Sequence, residues 1–303
     1  MTGPAGPPAL VAWWRERGPR LVGVARTLFY PVALALVAYM GYQAASQADI
    51  GNLRFAPLLL ALPLALVWWL SLALGWSFLA GESTHREAMA AWCQTQVARY
   101  VPGGIWAVVT RAATVRGRLR DKAAAVTAEN VTVLLVSVAV GSAWATARDL
   151  RWLPLTLLVA APVLVSRWLE RRTRITRERV RRTSLTYAVG FGAYGVMNVL
   201  VQLAVSGSPG TASPLYVAGA ACLAWAVGLV VVIAPGGVGV REVVYVWLLS
   251  GLYPTHQLEA AAVVSRVVTV LAELLVLGCF WLLDRAGRGH RQGDQEVPSE
   301  AWR

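Results

Sequence analysis

Charged residues are scarce in this chain. Asp, Glu, Lys and Arg make up 15% of its 303 residues, whereas hydrophobic residues make up 57%. A soluble domain usually carries about 25% charged residues. Long apolar runs recur from one end of the sequence to the other. The shortage of charge therefore argues against an ordinary soluble domain and predicts a single membrane domain whose main solvent is lipid.

Residues that bind metals or form disulfides are also few. The three cysteines, Cys93, Cys222 and Cys279, lie far apart, and the three histidines are equally scattered. The sequence contains no metal-ligand spacing, no disulfide framework, no P-loop and no GxSxG, HExxH or dinucleotide motif. We therefore expect no metal, no cofactor and no enzymatic activity. A membrane-embedded enzyme is kept as an alternative, because groups that meet only in space leave no motif.

Acidic residues are outnumbered, with 16 Asp and Glu against 28 Lys and Arg, which gives a net charge of +12. The basic residues lie in short loops between apolar runs and do not form the basic face of a soluble module. An anionic membrane surface accounts for such loops better than a nucleic acid does. We expect no nucleic-acid partner.

Several apolar runs are long enough to cross a bilayer, which takes roughly 20 residues. They cover 27–46, 56–80, 124–147, 152–169, 184–206, 214–234 and 258–283. Two shorter pieces, 88–113 and 240–252, contain or adjoin a Pro-Gly-Gly. The pattern predicts an all-α, polytopic membrane bundle of about six to eight spans with two broken or re-entrant helical elements. The predicted organisation is an N-terminal segment (1–20), a transmembrane domain (21–285) and a disordered tail (286–303).

The distribution of Lys and Arg predicts the orientation. Of the 28, 23 lie before the first predicted span, in 82–122, in 167–182 and after the last span, whereas the other loops hold only Arg54, Arg148 and Arg151. Cytoplasmic loops carry the excess of positive charge. The sequence therefore predicts a multi-pass protein of the cytoplasmic membrane with both termini in the cytoplasm.

Two Pro-Gly-Gly motifs interrupt the apolar sequence. The first lies in 99–106 between basic flanks, and the second lies in 234–242, whose outer flanks carry no Lys or Arg. Broken helices are tolerated in a bilayer only where protein or a water-filled cavity satisfies the backbone, and paired breaks mark transporter binding sites. Since one break opens from each side, the pair predicts an inverted repeat around a polar cavity. The alternative for either motif is a helix that simply ends at the interface.

Ionisable residues also fall within apolar sequence, where a charge at the bilayer centre costs about 2.5–3.5 kcal/mol. Glu259, Arg266 and Glu273 are spaced seven apart and share one face of the last predicted helix, with neighbours about 10.5 Å apart. They need partners on other helices. The candidates are Glu129, Arg241 and Glu242.

Tyr194, Asn198 and Gln202 form a second polar stripe, at i, i+4 and i+8 of the predicted helix 184–206. Nearby glycines allow another helix to approach closely. Contact between helices and contact with a substrate are equally good interpretations of Asn198 and Gln202.

The two interrupted segments resemble a known family. Arg99-Tyr100-Val101-Pro102-Gly103-Gly104-Ile105-Trp106 and Pro235-Gly236-Gly237-Val238-Gly239-Val240-Arg241-Glu242 resemble the signature segments of the lysylphosphatidylglycerol synthase transmembrane region family, the flippase-like domain of multiple peptide resistance proteins. The positions of Glu129, Arg266 and Glu273 are similar to that family as well. The resemblance covers roughly residues 20–285. It implies a stand-alone member that moves lipids or lipid-linked substrates between leaflets, without an aminoacyl-transferase domain.

The predicted substrate-binding residues lie in the two motifs and at the polar positions within the apolar runs. They are Arg99, Tyr100, Pro102, Gly103, Gly104, Trp106, Glu129, Asn198, Gln202, Pro235, Gly236, Gly237, Gly239, Arg241, Glu242, Arg266 and Glu273. We expect Arg241 and Arg266 to hold a phosphate headgroup, and Arg99 to guide it at the cytoplasmic mouth. The expected partner is a membrane lipid, either an anionic phospholipid or a polyprenyl-linked substrate.

A second hypothesis is a scaffold that transports nothing and docks glycosyltransferases or lipid enzymes of the cell envelope. It predicts that the basic segment 167–182 matters more than the buried charges. A homo-oligomer or an envelope enzyme is a possible partner under either hypothesis.

Overall fold

The computed structural model describes residues 53–81, 84–96, 110–112, 119–171, 173, 175–207, 212–231 and 239–293. Every regular element among them is helical. The α-helices are α1 (Phe55–Leu79), α2 (His85–Gln96), α3 (Leu119–Ala145), α4 (Leu153–Thr156), α5 (Ala161–Glu170), α6 (Arg177–Ser206), α7 (Pro214–Val230), α8 (Val240–Leu249) and α9 (Thr255–Gly293).

Four of the described helices are long and apolar enough to cross a membrane. These spans are Phe55–Leu79, Asp121–Ala145, Arg177–Ser206 and Thr255–Leu283, and Pro214–Val230 is a shorter apolar helix. They correspond to five of the predicted runs, so the expected all-α membrane architecture is confirmed at this level. The predicted first span, 27–46, lies outside the described residues. Helix α9 continues to Gly293, inside the segment predicted as a tail.

The predicted span 152–169 is helical but is not one continuous α-helix. Two 3-10 turns, Leu150–Trp152 and Leu157–Ala160, precede and follow α4, and α5 comes next. Pro154 and Pro162 explain the breaks, because proline has no N–H to donate and its ring crowds the preceding turn.

Helix α6 lies in the middle of the described bundle, where it packs against α1, α3, α5, α7 and α9. It runs antiparallel to α1, since the Thr183 hydroxyl donates to the Gly75 carbonyl near one end. At the other end the Arg54 backbone N–H donates to Ala204. The Thr176 hydroxyl caps the first turn of α6, and Gly207 ends the helix with a φ of 69°. A left-handed residue at this position commonly terminates a helix, and glycine adopts that conformation without strain.

The exterior of the bundle is apolar and its interior contains charge. Leu59 is 75% exposed and Trp247 is 70% exposed, whereas Glu129, Arg266 and Glu273 are all buried. Water would favour the opposite arrangement, because exposed apolar area and buried charge both raise the free energy of folding. The distribution indicates a membrane protein with lipid at its surface.

Candidate functional site

Helices α7 and α8 form an antiparallel hairpin. At its open end the Tyr216 hydroxyl donates to the Leu248 carbonyl over 3.1 Å. At its closed end Gly228 lies against the side chain of Arg241. The connection 232–238, with Pro235, Gly236 and Gly237, lies outside the described residues. Gly239 precedes α8 with a φ of 85°, a backbone conformation that residues other than glycine rarely adopt.

Arg241 is held between the two helices of this hairpin. Its guanidinium carbon lies 5.1 Å from the centroid of the Trp225 ring, within cation–π range. A Cβ atom at Gly228 would collide with the Cγ and Nε atoms of Arg241. The absence of a side chain at 228 therefore allows Arg241 to lie across α7.

Helix α9 places Arg266 close to Arg241, since both side chains line one cavity. Arg266 is 7% exposed and lies in α9 about 16 Å along the helix axis from Thr255. The Trp69 indole N–H donates to the Thr269 carbonyl over 3.0 Å, which fixes α9 against the middle of α1. Because the apolar core of a bilayer is about 30 Å thick, this position is close to the centre of the bundle.

The polar stripe of α6 connects to α8 and α9. The Ser265 hydroxyl donates to Asn198 Oδ1 over 2.7 Å, and the Tyr245 hydroxyl donates to Gln202 Oε1 over 3.1 Å. Asn198 and Gln202 are both buried, as the stripe predicted. Both therefore make helix–helix contacts, and Asn198 also lines a cavity.

These residues surround a cavity of about 40 Å³. A buried water needs about 10–15 Å³ on this measure, so the cavity has room for about three waters. Its lining comprises Trp68, Tyr194, Asn198, Ala221, Ala224, Arg241, Glu242, Tyr245, Ala262, Ser265, Arg266 and Thr269. The structure thus brings together four of the predicted site residues: Asn198, Arg241, Glu242 and Arg266.

Glu242 is the acidic group of this cavity. Its Oε2 atom is buried and has no hydrogen-bond partner among the described residues. The lining therefore combines two guanidinium groups with one carboxylate. An oxygen-rich anion can bind the guanidinium groups through charge-assisted hydrogen bonds, which are stronger than those between neutral groups.

Glu129 belongs to a second charged cluster. Its carboxylate pairs with the Arg111 guanidinium, and the Trp92 indole N–H donates to it over 2.7 Å. The Arg111 guanidinium lies over the rings of Trp92 and Trp76, at 5.3 and 5.7 Å from their centroids. The sequence suggested that Glu129 pairs with the charged residues of α9. That suggestion is wrong for the described contacts, because the Glu129 carboxylate binds Arg111 and the Trp92 indole of α2 instead.

Glu259 and Glu273 also differ from the expectation of one shared buried face on α9. Glu259 is exposed, whereas Glu273 is 2% exposed. Glu259 lies in the second turn of α9, where Leu258 and Ala260 are both buried, so its helical face decides its exposure. Glu273 does not line the cavity and lies within electrostatic range of Cys93 on α2.

A series of aromatic rings joins the two charged clusters. Trp92 is 5.6 Å from Trp69, Trp69 is 5.1 Å from Trp68, and Trp68 is 6.2 Å from Trp225, all measured between ring centroids. Arg111 lies over the first ring and Arg241 over the last. We call Trp92, Trp69, Trp68 and Trp225 the aromatic seam. Cation–π contact gives each of its ends an affinity for positive charge.

The remaining predicted site residues, other than Gly239, lie outside the described part of the chain. They are Arg99, Tyr100, Pro102, Gly103, Gly104, Trp106, Pro235, Gly236 and Gly237. Arg111, Tyr245 and Ser265 also belong to the polar clusters, although the sequence did not predict them as site residues. Ser265 could have been found because it is next to Arg266 in the sequence. Nothing in the sequence around Tyr245, or around Arg111 in its basic region, predicts the contacts that they make.

The comparisons add no relative: no protein-family model, curated protein or solved structure matches this sequence.

Proposed function

We propose that this protein is a lipid translocase of the cytoplasmic membrane, with both termini in the cytoplasm, and not an enzyme. The observation that carries the proposal is the pair of arginines, Arg241 and Arg266, lining a polar cavity at mid-depth in a bundle with an apolar surface. Buried cations are costly in lipid and mark substrate pathways by default. The planar guanidinium fork binds phosphate through two hydrogen bonds, and phospholipid headgroups contain phosphate.

The apolar surroundings support a lipid as the substrate. A headgroup could occupy the cavity while its acyl chains stay in the bilayer beside α8, whose Val243 and Trp247 are both exposed. The cavity is smaller than a phospholipid headgroup, so the lining side chains must separate when the headgroup binds. The resemblance of the two Pro-Gly-Gly segments to the flippase-like family is consistent with this function, and membership of that family is part of the proposal.

Reconstitution tests the proposal. Purified protein in liposomes should move fluorescent anionic phospholipids between leaflets faster than protein-free liposomes do. Arg241→Ala should slow this movement roughly tenfold to a hundredfold, because a hydrogen bond to a charged group contributes about 1.5–3 kcal/mol. Arg241→Lys should keep part of the activity, since an ammonium binds phosphate without the planar fork.

A matched control separates a local effect from a general one. Arg151 is exposed at one end of the bundle, so Arg151→Ala should leave transport unchanged. Equal rates for wild type and Arg241→Ala would count against the proposal.

The alternative, a scaffold for envelope enzymes, is favoured by one observation. Arg171, Arg177, Arg181 and Arg182 are exposed at the end of the bundle where α5 leads into α6, although Glu178 pairs with two of them. Replacing 171–182 with a neutral segment that retains a few arginines for topology should abolish partner capture under this alternative. Under the translocase proposal the same replacement should leave reconstituted transport intact.

A further inference from the structure

Among the described residues, α8 is the part of the cavity wall that also forms the lipid-facing surface. Arg241, Glu242 and Tyr245 line the cavity from one face of this helix. On the opposite face Val243 and Trp247 are both exposed. A wall one helix thick therefore separates the cavity from the bilayer at this place.

Helix α8 covers only part of the bilayer depth. Its ten residues rise about 15 Å, whereas the apolar core of a bilayer is about 30 Å thick. Arg241, in its first turn, lies near the centre of the bundle. Near its other end the Leu248 carbonyl accepts from Tyr216, and the Arg148 guanidinium carbon lies 5.3 Å from the centroid of the Tyr216 ring. Arg148 marks the end of the bundle that is extracytoplasmic under the proposed orientation, so α8 faces that half of the bilayer.

A hydrogen bond between neutral side chains joins α8 to α6. The Tyr245 hydroxyl donates to Gln202 Oε1 over 3.1 Å, and we call this hydrogen bond the latch. The Gln202 Nε2 atom is buried and has no hydrogen-bond partner among the described residues. An unpaired buried donor raises the free energy of the arrangement that contains it. Water or a headgroup oxygen that reached Gln202 would satisfy this donor, so the closed arrangement favours exchange of the latch for contacts with an incoming polar group.

Glycines with positive φ lie at both ends of α8. Gly239 precedes the helix with a φ of 85°, and Gly251 follows it with a φ of 76°. A Cβ atom at either position would meet nothing within 4 Å, so the backbone has open space around it. Hinges are usually a few residues at the ends of elements that absorb a change in backbone dihedrals. The two glycines therefore allow α8 to move as a unit.

The geometry points to α8 as a lateral gate, through which a lipid headgroup passes between the cavity and the extracytoplasmic half of the bilayer. The gate opens when α8 moves outward, and the latch between Tyr245 and Gln202 holds it closed. The cavity of about 40 Å³ must enlarge to admit a headgroup, and displacement of α8 is the movement that enlarges it towards lipid. This inference rests on the proposed function and deepens it, since it names the route of the substrate.

Access to the cavity can be measured whatever the protein transports. In a full-length variant with serine in place of the three native cysteines, Ala262→Cys puts a thiol into the lining of the cavity. N-ethylmaleimide enters the bilayer but is too large for the closed cavity, so its rate of reaction in liposomes reports opening. A sulfonated maleimide stays in water. A gate that opens towards lipid admits the first reagent and excludes the second.

Variants of the latch assign the opening to this hydrogen bond. Tyr245→Phe should raise the rate of reaction with N-ethylmaleimide about twofold to tenfold, the range of one neutral hydrogen bond. Gln202→Met removes the acceptor at similar size and should raise the rate equally. The double variant should exceed neither, because both changes remove one interaction. The matched control is Tyr187→Phe, the same change at a buried tyrosine of α6 that does not line the cavity, and it should leave the rate unchanged.

A cross-link tests whether lipid uses the gate. In the variant without native cysteines, Gln202→Cys and Tyr245→Cys together allow a bifunctional methanethiosulfonate to tie α8 to α6. Movement of fluorescent anionic phospholipids between liposome leaflets should then fall to the rate of protein-free liposomes, and reduction should restore it. Each single-cysteine variant, treated with the same reagent, should keep most of its rate.

The outcomes separate this inference from the proposed function. Equal N-ethylmaleimide rates with and without Tyr245→Phe overturn the latch. An equal rise for the sulfonated maleimide shows opening to water and overturns the lateral route. A cross-linked protein that still moves lipid at the full rate overturns α8 as the gate and leaves a translocase standing. If labelling changes as expected but no lipid moves faster than in protein-free liposomes, the translocase is refuted and the movement of α8 remains.

Discussion

Among single residues, the buried pair of Arg111 and Glu129 is expected to tolerate substitution least. The two residues are 7% and 4% exposed. Removal of one partner leaves the other charge buried and unpaired, which costs far more free energy than the intact pair contributes to stability. The Trp92 indole and the Thr95 hydroxyl also contact this pair, so its geometry depends on α2.

Glu129→Ala should therefore lower the free energy of unfolding by about 3–5 kcal/mol. Glu129→Gln should cost less, since an amide oxygen still accepts from Trp92 and the shape is kept. Denaturant unfolding in detergent micelles measures both. The control is Arg151→Ala, which breaks an ion pair with a side chain that is 92% exposed and should not shift the unfolding midpoint. Equal shifts for the variants at 129 and 151 would show that burial does not matter here.

Gly228 offers a way to move Arg241 without replacing it. A valine at 228 would occupy the space of the Arg241 side chain and push its guanidinium away from Trp225. Gly228→Val should reduce lipid transport roughly tenfold or more, as Arg241→Ala does. Gly278→Val is the control, because a Cβ at 278 meets nothing within 4 Å. Undiminished transport in Gly228→Val would mean that the position of Arg241 over Trp225 is not required.

The sequence predicted part of this residue-level picture. The stripe spacing of Asn198 and Gln202 and the burial of Arg266 and Glu273 follow from helical periodicity and hydropathy. The contact of Arg111 with Glu129 could not be predicted, since it joins residues 18 positions apart and depends on where the segment 110–112 lies beside α3.

At the scale of helices, α3 and α7 approach closely through two glycines. A Cβ at Gly219 would lie 2.6 Å from the Gly141 carbonyl oxygen and 2.9 Å from the Ala145 nitrogen. Both atoms belong to the backbone and cannot rotate away. Small residues at such a crossing allow the close packing that holds membrane helices together.

Gly219→Ala should separate these helices and destabilise the protein by about 1–3 kcal/mol. Gly192→Ala in α6 is the matched control, because nothing lies within 4 Å of a Cβ there. Alanine favours a helix over glycine by roughly 0.5–1 kcal/mol, so the control should be neutral or slightly stabilising. Thermal unfolding in the same detergent compares the two. A stabilised Gly219→Ala would contradict the close contact between α3 and α7.

At the scale of the whole molecule, the two ends of the bundle differ in charge. Arg54, Arg148 and Arg151 lie at the end where α1 begins and α3 ends, whereas Arg86 and the arginines at the start of α6 lie at the other. This asymmetry matches the loops counted in the sequence. It gives the proposed orientation a direct test.

Cysteine labelling provides that test. In a variant with Cys93, Cys222 and Cys279 replaced by serine, Arg151→Cys should react with an impermeant maleimide in intact cells. Glu170→Cys should react only after the cells are opened. Gly103→Cys and Gly236→Cys should be reached from the cytoplasmic and the external side respectively. Labelling of both Pro-Gly-Gly segments from one side would refute the opposed arrangement and the transport mechanism built on it.

Lipid as the main solvent and a helical architecture follow from the sequence alone, and so does the burial of Glu129, Arg266 and Glu273. Hydropathy and helical period depend on neighbours along the chain, so they can be read without a fold. Tertiary structure decided which charges meet. Arg241 and Arg266 line one cavity together with Glu242, and Glu129 forms an ion pair with Arg111. Each of these contacts depends on how separate segments pack against one another, and packing joins residues whose separation along the chain leaves no periodic signal.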